Sequence, residues 1–198
     1  MVGVSNPIYR RDRRGGWRFL AGFAAGQALS VAALAGPLLL LTAAVGLLPE
    51  PVRVVLLLVV VLGFAVADLT NRTPHVWRQV PQRFARDLHH QPGRLGLIWA
   101  FDLGLLVTTQ KTTSLLWIAL AGVVLLGPPA AVVSVLAIAA ALYTLGVAVL
   151  TVTGDQWFAG IADLVEALGR GLLPVRRASG AATLGLAAVL LVTLTGTS

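Results

Sequence analysis

Val52–Leu69 reads VRVVLLLVVVLGFAVADL, eighteen residues in which only Arg53 and Asp68 carry charge. As a helix rising about 1.5 Å per residue, such a run nearly matches the ~30 Å hydrocarbon core of a bilayer. Pro49-Glu50-Pro51 forms a tight turn before it. After it, residues 70–94 are polar and basic, with Arg72, Arg78, Arg83, Arg86 and Arg94 against Asp87.

Four further apolar stretches flank this span. Trp17–Leu48, interrupted by Gln27, Ser30 and the Gly36-Pro37 pair, would extend about 48 Å as one helix. It is therefore expected to be tilted, kinked near Pro37, or split. Leu95–Gly127 is also too long for one straight crossing, and it carries Asp102 and the polar run Thr108–Ser114. Ala130–Thr153 is a full span, and Ala178–Thr195 is the last. The expectation is an all-α, polytopic transmembrane bundle of about five spans within one membrane domain, 1–198. Splitting a long stretch gives a six-span alternative but leaves Leu95–Val107 only about 20 Å long.

Composition supports this class. Hydrophobic residues make up 57% of the 198 and charged residues 12%, against about 45–50% and 25% in soluble domains. Mean hydropathy is +0.86. A chain this short has too little interior to hide that much apolar surface, which excludes a soluble globular enzyme. With no cysteine, disulfides, thiolate metal sites and thiol relays are also excluded.

The net charge is +7, and Lys111 is the one lysine among 15 basic residues. The arginines stand beside spans, which points to anionic lipid headgroups and not to nucleic acid. Arg10, Arg11, Arg13, Arg14 and Arg18 precede the first apolar stretch, and Ala33-Leu34-Ala35 imitates a signal cleavage site. The apolar run continues through Leu38–Leu48, so a retained first span is expected. Five spans place the N-terminal arginines, the 70–94 loop and the 154–177 loop on one side, which the positive-inside rule makes cytoplasmic. That arrangement describes a multi-pass protein of the bacterial cytoplasmic membrane.

Two segments carry apolar residues at helical spacing: Trp77, Val80, Phe84 and Leu88, then Trp157, Ile161, Leu164 and Leu168. Both read as interfacial amphipathic helices. They also mark an internal duplication, since Phe23-x-x-Gly26 matches Phe101-x-x-Gly104, Pro49 matches Pro128, and Trp77 matches Trp157 at offsets of 78 to 80. Repeat 1 then covers about 17–94, repeat 2 about 95–175, and the final span 178–196.

Ionisable groups inside apolar stretches are functional candidates. Asp102 and Lys111 are nine residues apart, on opposite faces of a regular helix, so they do not pair within one. If the chain unwinds at Thr108–Thr113, then Thr108, Thr109, Gln110 and Lys111 line a polar pocket, with Asp102 and Gln27 as further members. The other reading makes the run an interfacial loop. Gly22-x-x-x-Gly26, with its counterpart Ala100-x-x-x-Gly104, is a close-packing signal for helices. His75, His89 and His90 fit no metal-ligand spacing, and no metal or other cofactor is expected. No catalytic motif is present, so no enzymatic activity is expected.

Phe101-Asp102-Leu103-Gly104 with Val107-Thr108-Thr109, after Trp77-Arg78-Gln79-Val80-Pro81-Gln82-Arg83, resembles small actinobacterial integral membrane proteins. More distantly it resembles the superfamily of CcdA, DsbD and the lysine exporters, over residues 75–127. Redox members of that superfamily use a cysteine in each of two helices, and their repeats have three helices. This chain has no cysteine, and an amphipathic segment replaces the third helix, so the resemblance implies a related scaffold without electron transfer. Two roles follow: a transporter-like or scaffold protein, or an accessory subunit of a larger assembly, as a homo-oligomer or with a partner membrane protein. The orientation is directly testable. Alkaline phosphatase fused after Pro49 is expected to be active and after His90 inactive; the opposite pattern inverts the topology.

Overall fold

The computed structural model describes residues 2–70, 72, 90–105, 114–153, 177–189 and 191–192. Among them every regular element is a helix: α1 (Val2–Arg11), α2 (Arg13–Val45), α3 (Glu50–Leu69), α4 (Pro92–Gly104), α5 (Leu115–Leu126), α6 (Pro129–Thr153) and α7 (177–189). Three of them, α2, α3 and α6, are long and apolar enough to cross a membrane. The 13 residues of α4 and 12 of α5 give only about 20 and 18 Å. Both amphipathic segments, Trp77–Leu88 and Trp157–Leu168, lie outside the described residues, as do His75 and His89.

Local chemistry sets the helix starts. Asp12 stands between α1 and α2, and its carboxylate accepts from the N–H groups of Arg14 at 3.0 Å and Gly15 at 2.9 Å. It thereby satisfies two donors that the first turn of α2 leaves without helical partners. Prolines open α3, α4 and α6, where a missing N–H costs nothing. Gly127 closes α5 in an extended conformation, as the residue before Pro128 must. The 33 residues of α2 are helical without a break through Pro37, about 50 Å in all. Of the three expectations for Trp17–Leu48, division into two helices is thus not what forms.

The chain groups into two compact units, each assembled from three separated pieces. Unit 1 takes residues 1–36, 76–110 and 133–164; unit 2 takes 37–75, 111–132 and 165–198.

In unit 1 the first part of α2 lies directly on α4. A Cβ on Gly22 would strike Gly93 O, one on Gly26 would strike Leu97 O, one on Gly96 would strike Phe19 O, and one on Gly104 would strike Ser30 Oγ. These contacts advance together along both helices, so α2 and α4 run parallel in backbone contact. Phe19, Leu20, Phe23, Leu95 and Ala100 fill the core beside the crossing, with Val147 of α6. Thr151 Oγ1 of α6 lies 2.8 Å from Ser5 Oγ, tying α1 to the end of α6.

Unit 2 is built on α3, whose Leu57, Val61, Ala65 and Asp68 form one buried stripe at helical spacing. Ile118, Ala121 and Leu125 of α5 pack on it, with Ala187 of α7. A Cβ on Gly180 would sit 3.1 Å from Ala65 O and 2.7 Å from Leu69 Cγ, so α7 also approaches α3 closely. Outside these seams the helices are aliphatic, as at Leu40 and Val192, which are 75% and 68% exposed.

The glycines supply an internal control. Gly96→Ala is expected to destabilise the protein by about 1–3 kcal/mol, since the backbone must move. Gly63→Ala, where nothing lies within 4 Å of the new Cβ, should be neutral or stabilise by up to ~1 kcal/mol through helix propensity. Thermal unfolding of both variants in detergent checks the contrast; equal effects would contradict the crossing.

Candidate functional site

The most concentrated polar site among the described residues is centred on Asp68, in the last turn of α3. Its residue is fully buried. Oδ2 accepts from the Ser114 N–H at 3.0 Å and from Ser179 Oγ at 3.1 Å, while Oδ1 accepts from Ser114 Oγ at 2.8 Å. Ser114 and Ser179 are also buried. The carboxylate thus joins three helices: α3 contributes the acid, α5 its N-cap serine, and α7 the hydroxyl of Ser179.

This position is electrostatically apt. A helix N-terminus carries roughly half a positive charge from its unsatisfied N–H groups, so a carboxylate there is favoured. Asp68 faces the start of α5. It also takes over capping of α5, because Ser114 occupies the N-cap position yet makes no capping bond of its own. Its hydroxyl is turned to Asp68 instead.

The other end of α5 is held by the same helix. Arg53 Nη1 donates to Leu125 O at 3.3 Å, placing a cation against the C-terminal carbonyls of α5. Arg53 Nε is buried without a hydrogen-bond partner. Asp68 and Arg53 are fifteen residues apart, about 60° around α3, so one face reaches both ends of α5. A helix as uniformly apolar as LLWIALAGVVLL has no side chain of its own to set its direction. Two charges of α3, Arg53 and Asp68, set it.

The residues expected to line a pocket are distributed differently. Gln27 is 3% exposed, and its Nε2 donates to Ala100 O at 3.1 Å, linking α2 to α4. Beside it, Ser30 Oγ donates to Gln27 O at 2.7 Å. Asp102 is half-buried on α4. Thr108, Thr109, Gln110 and Lys111 lie outside the described residues. Gly22, Gly26 and Gly104 stand at the α2–α4 crossing, where each meets the facing helix. Among the described residues no group of three or more His, Cys, Asp or Glu is placed to hold a metal.

Reading the sequence for charges inside spans passed over Asp68, because it sits at a span's end. Two signals were available: its register with Arg53, Leu57 and Val61 on one face, and serines standing at the starts of two apolar runs, where helix N-termini are expected.

Comparison with protein-family models, with curated proteins and with solved structures finds no match to this chain. The site is therefore interpreted from its own geometry.

Removing the acid removes at least the three bonds to Ser114 and Ser179 at once. Hydrogen bonds between membrane helices average about 0.6 kcal/mol, those to charged groups in proteins about 1.5–3. Asp68→Ala is expected to lower stability by about 2–4 kcal/mol and Ser179→Ala by about 1 kcal/mol. The double variant should cost little more than Asp68→Ala alone, since its second loss is already counted. Unfolding titrations in mixed micelles test this; additive losses would mean that Ser179 acts independently of Asp68.

Proposed function

We propose that this protein is a non-catalytic, multi-pass scaffold of the bacterial cytoplasmic membrane, acting as an accessory subunit of a larger membrane assembly. The observation that carries this reading is internal satisfaction. Among the described residues, the buried polar side chains Ser5, Gln27, Ser30, Thr42, Asp68, Ser114, Thr151, Ser179 and Thr183 all hydrogen-bond within the chain. A transport pathway or catalytic site requires polar groups aimed into a cavity. Here they join helix to helix or close on their own helix. The broad aliphatic exterior suits contact with lipid or with other membrane helices.

The remaining expectations belong to the same proposal. The N-terminal arginines face the cytoplasm, the chain crosses the membrane about five times, and its two halves descend from a duplication. The arginines at the span ends meet anionic headgroups. The scaffold is related to, but chemically distinct from, that of CcdA, DsbD and the lysine exporters, and neither nucleic acid nor a cofactor takes part.

A transporter-like reading keeps one supporting observation. Helix α4 ends at Gly104 and α5 begins at Leu115, both shorter than a bilayer crossing, on either side of the polar run Thr108–Lys111. Short helices separated by a polar segment are the pattern of discontinuous helices in transporters.

A single reporter separates the two readings, and the absence of native cysteine makes it clean. Lys111→Cys in vesicles of known orientation is exposed to a membrane-impermeant maleimide from each side. The scaffold reading predicts labelling from one side only, at a rate unaffected by ion gradients. Labelling from both sides, with rates that shift when a gradient is imposed, would replace scaffold with transporter.

A further inference from the structure

Within unit 1, α2 and α6 leave an open groove of about 620 Å³, within the roughly 300–1,000 Å³ usual for ligand clefts. Ala24, Ala28 and Val31 of α2 form one wall; Ala137, Ala141 and Leu145 of α6 form the other. The two polar residues on its border are turned to backbone carbonyls. Gln27 Nε2 donates to Ala100 O at 3.1 Å, and Thr144 Oγ1 donates to Ala140 O at 2.8 Å. What remains is an aliphatic trough suited to a hydrocarbon chain.

The N-terminal end of α2 gives that trough a charged mouth. Arg13 and Trp17 precede Ala24 by eleven and seven residues, which places both within about 20° of it around the helix, at about 16 and 10 Å along the axis. Arg14 adds a second guanidinium one residue on. Arg13 and Arg14 are exposed, and Trp17 is 57% exposed with its ring edge-on to Tyr9 at 6.2 Å. The nearby N–H groups of Arg14 and Gly15 are taken by the Asp12 carboxylate. An anion arriving here therefore meets guanidinium groups and not a helix end.

The dimensions choose between occupants. Along α6 the groove runs from Ala137 to Ala148, about 16 Å, and its near end at Ala24 lies about 16 Å below Arg13, so an acyl chain anchored at the arginines passes Trp17 and enters its nearer part. A crossing helix would need about twice that length and gains nothing from arginines at one end. A lipid needs this order: cations at the headgroup level, an aromatic at the interface, and an apolar slot beneath. We propose that the α2–α6 groove binds one anionic phospholipid, its phosphate on Arg13 and Arg14 and one acyl chain along the alanine walls.

The test uses the full chain in phosphatidylcholine vesicles with a trace of spin-labelled phosphatidylglycerol or spin-labelled phosphatidylcholine. The expected result is a motionally restricted population that favours the anionic lipid. Arg13→Gln and Arg14→Gln should each reduce that preference about fivefold. Ala28→Leu and Ala141→Leu, on opposite walls, should each remove the preferentially restricted population while circular dichroism stays unchanged. Equal restriction of the two lipids would overturn the proposal, as would a preference that survives both groove-filling variants. A change in oligomeric mass on Ala28→Leu, without any change in lipid preference, would assign the groove to a second copy of the chain and overturn it too. The arginine variants lie outside the packed core, so they remain informative even where a wall variant fails to fold.

Discussion

Hydrocarbon gives an apolar helix no hydrophobic reason to pack on another, because lipid tails are as apolar as leucine. Helices in a membrane hold together through close van der Waals contact and through polar groups that find each other. This constraint governs a chain that is 57% hydrophobic. Leu40, exposed, and Leu57, buried, are chemically the same residue. Side-chain identity alone therefore does not state which face of a helix turns inward. The small residues and the sparse polar ones do.

The two units answer the constraint with different chemistry. Unit 1 relies on the absence of side chains: Gly22, Gly26, Gly93, Gly96 and Gly104 bring α2 and α4 into backbone contact, and Gln27 adds one hydrogen bond across the seam. Unit 2 relies on charge. Asp68 gathers donors from the start of α5 and from Ser179 of α7, and Arg53, four turns earlier on α3, reaches the end of α5. A short helix such as α5, with no capping group or amphipathic face of its own, acquires direction and register from α3. Helix-terminus electrostatics are strongest where water is excluded and fall away within one turn, so Asp68 and Arg53 act only because they stand at the very ends of α5.

Much of the architecture was legible in the sequence. The apolar runs Val52–Leu69 and Ala130–Thr153 coincide closely with α3 and α6, whereas the longer run Leu95–Gly127 holds two shorter helices, α4 and α5. Prolines at 49–51, 92 and 128–129 mark helix starts for a stereochemical reason that context does not override. Helix α1, by contrast, has mixed polarity and Pro7 inside it, so neither periodicity nor length announces it. The continuity of α2 through Pro37 was also not readable, because a proline removes one helical hydrogen bond and what compensates lies outside the local sequence. Asp68 was passed over for a related reason. A carboxylate at a span's end ordinarily reaches water, and only the third dimension brings Ser114 and Ser179 to it.

The scaffold reading rests on the same economy of polar groups: the buried hydroxyl, amide and carboxylate side chains described bond to a neighbouring helix or to their own, and Asp68 makes the most bonds between helices. Its role is measured most directly by amide hydrogen exchange of the full chain, wild type against Asp68→Asn. The account predicts that the first turn of α5 and the amides around Ser179 exchange about tenfold faster or more in the variant, equivalent to ~1.4 kcal/mol of lost protection, while the α2–α4 crossing is unchanged. Unaltered exchange at both places, or an equal loss at the α2–α4 crossing, would contradict it.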